Sequence, residues 1–244
     1  VTPLNTSDPA LQRLRDMLDA LDALDDRHQA RMAMLDSVAV AEQRLRDELH
    51  RGQTPSDAGF WARLRTRWSP PPTPHASELT ERHEAMVRAV RGLSFHLVAL
   101  EGAVDTVVND KAEVLSLAFP TGSEPSATQQ TLTDRAMALS DLLQAEHEVL
   151  SIRHEGLVEL HTAAHDVAHA LSRQALQHHL AGPRTVRSPA LDGVVRAAIE
   201  RAAELHHRVD TLESRMRQLD AEARERRVAK DEVEAWLRPG TSDA

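Results

Sequence analysis

The chain has 244 residues, and its 38 acidic against 29 basic side chains leave a formal charge of −9. It has no Cys and no Tyr, which excludes disulfide scaffolds, thiolate metal sites and cysteine nucleophiles. Ala, Leu, Arg, Glu and Asp dominate while β-branched and aromatic residues are scarce, a balance that suits long helices and not sheets. The acidic balance argues against general nucleic-acid binding.

The first helix is expected over 9–51. Asp8 supplies an N-cap, Pro9 sits where its missing N–H does no harm, and Gly52 supplies a stop. Its apolar stripe is Leu11, Leu14, Leu18, Leu21, Leu24, Met32, Leu35, Val38, Leu45 and Leu49. Residues 52–77 are a Pro-rich linker enclosing a cationic aromatic segment from Phe60 to Trp68. In helical form Trp61, Leu64 and Trp68 share a face and Arg63, Arg65 and Arg67 flank it. Phe60, Trp61, Arg63, Leu64, Arg67 and Trp68 are therefore candidate contacts. They suit a protein partner, an anionic membrane surface, or a lid folded back on the helices.

The second helix is expected over 78–118, with Ser77 as cap and Pro120 as stop. Its line alternates spacings of three and four: Leu79, His83, Met86, Val90, Leu93, Leu97, Leu100, Val104, Val107, Lys111, Val114, Ala118. The third helix is expected over 127–180. Its line runs Leu132, Ala136, Leu139, Leu143, Glu146, Leu150, Arg153, Leu157, Leu160, Ala164, Val167, Leu171. The fourth is expected over 189–238, with Val209, Leu212, Met216, Leu219 and Ala223 on its line. Short connections between the last three helices predict one domain, 1–244: an all-α, elongated antiparallel four-helix bundle of coiled-coil-like helices.

Folding the chain about its short loops sets an expected register. Facing residues of the second and third helices have numbers totalling about 245, those of the third and fourth about 369. Lys111 then faces Asp134, Arg226 lies a turn from Glu146, and Arg153 finds no acid and should sit at a wet edge. The second helix starts level with Val167, so a tip made of 168–180 and 189–201 projects past it with Leu171, Leu176, Leu180, Val194, Val195 and Ile199 to cover.

Histidines gather at one level in the same register. His161 and His165 share a helical face, His83 faces about residue 162, and His206 and His207 face about 162–163. Facing helices are a common setting for metal ligands, so these five are candidates for a divalent metal site. No ferritin-like pair of Glu-x-x-His motifs is present, no Gly-rich phosphate loop or nucleophile turn occurs, and no cofactor is called for. No apolar run approaches the length of a membrane span, and residues 1–9 carry no basic-then-apolar leader, so a cytoplasmic protein is expected. The function expected is a non-enzymatic scaffold or protein-interaction module that binds a protein partner or itself. The alternatives are a membrane-surface protein using 60–68 and a metal-binding bundle.

Overall fold

The computed structural model describes residues 9–51, 76–118, 127–181, 197, 200, 207 and 209–225. Among these the protein is all-helical, with no strand. The long helices are α1 (Pro9–Arg51), α2 (Ala76–Ala118) and α3 (Ala127–Ala181). Residues 209–225 are also helical and are called α4. The cationic aromatic segment 60–68 and most of the connection after α3 lie outside the described residues.

The boundaries of α1 match the cap and stop residues around it. α2 begins at Ala76, two residues before the expected start, an ordinary difference at a helix end. Packing divides the chain into two compact units: 1–34, 101–152 and 208–244 form the first, and 35–100 with 153–207 the second.

In the first unit the helices pack as a bundle around Leu21 and Leu24 of α1, Val107 and Val114 of α2, Leu139, Leu143 and Leu150 of α3, and Met216 of α4. α3 buries a second row, Leu142, Ala145 and Val149, so it packs against neighbours on two sides. Ion pairs join α1 to α2 at Arg27–Glu113 and Arg31–Asp110. Others join α1 to α3 at Asp25–Arg135 and Arg31–Glu146.

In the second unit the core is Leu35, Val38, Leu45 and Leu49 of α1, Met86, Val90, Leu93 and Leu100 of α2, and Leu157, Leu160, Ala164 and Leu171 of α3. Buried Glu42 pairs with Arg46 one turn along the same helix.

All twelve positions on the expected line of α3 are buried. The expected register between α2 and α3 needs correction. Lys111 Nζ donates to Gln144 Oε1 and not to Asp134, which instead accepts from Gln130 Nε2 on its own helix. Ser94 of the second unit meets His161 where a fold about the loop sets Ser151. Both pairs are displaced by about ten residues, close to three turns. This register sets Ala118, the end of α2, level with about residue 137, so the start of α3 runs past α2, and there Arg135 Nη2 donates to Asp22 and Asp25 of α1, each at 2.7 Å.

Two further expectations change with it. Leu171 is buried, so within the described residues the uncovered tip reduces to exposed Leu176 and Leu180. Arg153 is not at a wet edge. It is only 8% exposed, and its Nη1 donates to the Leu35 carbonyl at 3.3 Å.

Candidate functional site

One turn of α1 carries the densest chemistry of the first unit. The spacing that buries Leu21, Leu24, Leu35 and Val38 also brings His28 and Arg31 into the core between them. From that turn, side chains reach carboxylates on each of the other three helices. Arg31 Nε donates to Glu146 Oε1 at 2.7 Å and Nη2 to Oε2 at 3.1 Å, the forked geometry that suits guanidinium and carboxylate. Arg31 Nη1 donates to Asp110 Oδ2 at 2.6 Å. Arg27, half-exposed, holds Asp110 and Glu113 at 3.0 and 2.8 Å.

His28 is wholly buried. Its Nδ1 donates to Glu146 Oε2 at 2.9 Å, since an ionised carboxylate only accepts. That bond places a proton on Nδ1. The other nitrogen, Nε2, makes no hydrogen bond and stands 3.7 Å from Asp220 Oδ1 of α4. Gln29 Nε2 donates to the same Asp220 oxygen at 3.4 Å, and Arg224 pairs with Asp220 from the next turn.

Burial opposes the charge on Arg31. The hydrogen bonds and attraction of Glu146, then of Asp110, outweigh it and hold the guanidinium above its ordinary pKa. Glu146 is fully buried and receives three donors from α1, so its oxygens are engaged by protein. The arrangement is chemically a clamp of ion pairs between helices.

A second polar contact of opposite sense lies earlier along α1. There α1 supplies the acids, Asp22 and Asp25, and α3 the base, Arg135. Apolar seams with a seven-residue repeat cannot tell one register from another slipped by about one heptad. The charges can: such a slip would set Leu21 and Leu24, or Leu35 and Val38, where His28 and Arg31 stand, and would leave Glu146 without its donors. A buried charge without partners is strongly unfavourable. The two contacts together therefore specify how α1 and α3 align within the first unit.

Sequence reasoning missed this layer, because a stripe drawn through apolar residues alone steps from Leu24 to Met32. The signal was present. Leu21, Leu24, His28, Arg31, Leu35, Val38, Glu42, Leu45 and Leu49 keep the three-and-four spacing unbroken, and every one is buried. Glu146 was placed on the core line, but its partners are Arg31 and His28. Arg226, its expected neighbour, lies outside the described residues.

The histidine candidates fall as follows. His83 and His161 are half-buried, His165 and His207 are exposed, and His206 lies outside the described residues. The Ser94–His161 contact puts His83 level with about residue 172, roughly three turns from His161. His165 instead meets His169 edge-on, with ring centroids 4.7 Å apart. Among the described residues no group of three or more His, Asp or Glu is placed to hold a metal ion.

Ser94 Oγ donates to the Val90 carbonyl at 2.9 Å, which leaves His161 Nε2 as donor to Ser94 Oγ at 2.8 Å. Partial burial, with repulsion from His165 second, lowers the His161 pKa below its ordinary 6.5. A depressed histidine pKa means that the unfolded chain takes up the proton first. Stability is then greatest above about pH 6.5, falls as pH drops through that value, and levels off once the folded ring is protonated. Urea titrations of the native chain and of His161→Gln between pH 8 and pH 5 check this. The native chain should lose stability relative to the variant as pH falls, and a constant difference would contradict it.

The surface of α2 carries the other notable feature. Phe95 is 75% exposed and Val98 70%, on a helix whose opposite side is packed core. Gly92 and Gly102, both exposed and mid-helix, have nothing within 4 Å of where a Cβ would stand. Glycine weakens a helix interior, and nothing in the described chain requires its lack of a side chain at either place.

Comparison of the chain with protein-family models, curated proteins and solved structures finds no match. Among the described residues, no helix is long and apolar enough to cross a membrane.

Proposed function

We propose that the protein is a non-enzymatic helical scaffold that binds another protein surface through the exposed side of α2. The observation that carries this reading is Phe95 with Val98, two large apolar side chains one turn apart and open to solvent. Aromatic side chains of this kind dominate the energetics of protein contacts. The buried carboxylates of the first unit support it as well, because Glu146 is occupied by Arg31 and His28 in a role that stiffens a bundle.

A photoreactive amino acid at position 98, incorporated in the cells that make the protein, tests the reading. The expected result is a discrete cross-linked protein species that disappears when Phe95→Glu is added. Absence of any cross-linked species, or cross-linking indifferent to Phe95→Glu, would overturn it.

A further inference from the structure

The exposed side of α2 has an order of its own. Arg88, Arg91, Phe95, Val98, Gly102 and Asp105 follow one another at alternating spacings of three and four, the same period as the core seam on the opposite side. All six are exposed. They belong to one helix, so the seam is a property of α2 alone.

Their chemistry is self-complementary under reversal. The basic residues stand at the N-terminal end, the large apolar pair at the centre, and the glycine and acid at the C-terminal end. We propose that α2 pairs with α2 of a second copy of this chain, antiparallel and about a two-fold axis between Phe95 and Val98. The proposal rests on the reading above and names its partner.

In this pairing Phe95 of each copy faces Val98 of the other, which buries the two large apolar side chains of the seam. Arg88 faces the other copy's Asp105, so opposite charges close both ends. Arg91 lies across Gly102, where the missing side chain lets the helices approach and gives the long arginine room. A parallel, in-register pairing would set Arg88 on Arg88 and Asp105 on Asp105, and like charges disfavour it. A two-fold contact uses the same patch on both partners, which is the symmetry this sequence of residues possesses.

The chain has no native cysteine, so introduced thiols are unique reporters. Purified Arg88→Cys and Asp105→Cys chains should not cross-link strongly alone but should join on mixing with a short bis-maleimide. In sedimentation, the native chain should dimerise. Arg88→Asp and Asp105→Arg should each weaken the dimer about tenfold or more, and the double variant should recover it. Recovery separates a lost contact from a lost fold. Phe95→Glu should give a monomer with an unchanged helical spectrum.

A native chain that stays monomeric at high concentration overturns the proposal, as does cross-linking of Arg88→Cys to itself in place of the mixture. If the chain is monomeric yet position 98 captures a different protein in a Phe95-dependent way, the second copy is wrong and the scaffold reading stands. If position 98 cross-links only into residues 60–68 of its own chain, both fall.

Discussion

Replacing Glu146 by alanine should be among the most damaging single changes in the protein. The variant deprives Arg31 of two hydrogen bonds and His28 of its one, in a place shielded from solvent. Breaking a buried pair from one side costs about 3–5 kcal/mol, because the remaining charge stays in a medium that solvates it poorly. For a chain of this size that is a fall in Tm of about 6–20 °C. Glu113→Ala serves as the comparison. Glu113 also accepts from an arginine of α1, at 2.8 Å, but both partners are nearly half exposed. Exposed pairs contribute at most about 1 kcal/mol. Arg31→Met combined with Glu146→Leu should cost less than Glu146→Ala alone, since two apolar side chains fill the space, no half-paired buried arginine is left and Asp110 keeps Arg27. Thermal melts of the four proteins decide the matter. Equal losses for Glu146→Ala and Glu113→Ala would mean that the layer is not buried as described.

Leu93→Ala and Phe95→Ala should differ sharply although the positions are two apart. Leu93 is fully buried in the second unit, and Phe95 points away from that core. Truncating Leu93 removes apolar contacts and leaves a cavity, a loss of about 2–5 kcal/mol. Truncating Phe95 should change stability by no more than about 0.5 kcal/mol when unfolding is followed in dilute solution, below any self-association. Urea midpoints with unchanged slopes provide the measurement. A larger loss at Phe95 than at Leu93 would reverse the inner and outer sides of α2, and the seam through Arg88 and Asp105 would fall with it.

The sequence made the helices legible because their signals are local. Pro9 and Gly52 bracket α1, and the line from Leu132 to Leu171 reads the buried side of α3 without an error. Pairing between helices was less legible. Loop symmetry sets Lys111 against Asp134, whereas Gln144 is its partner, because the start of α3 runs past the end of α2 and is held by α1, where Arg135 binds Asp22 and Asp25. No property of residues 119–126 announces that. The charged layer stayed hidden for another reason: buried arginine and histidine look like surface residues until the partner carboxylates on other helices are known. The open side of α2 is inconspicuous in the sequence because Phe95 and Val98 lie off the main apolar line through Leu93, Leu97 and Leu100.

The alternation of acid and base along α1 has a consequence for how such a sequence can diverge. Loss of Arg31 alone would leave Glu146 with His28 only and Asp110 with Arg27, and loss of Glu146 alone would leave Arg31 with Asp110 only. Either intermediate passes through a poorly folding ancestor, so positions 31, 110 and 146 are expected to drift as a set. A distant cousin whose overall resemblance has faded would then still betray itself. It would carry a buried base among leucines on its first helix, with matching acids on the second and third.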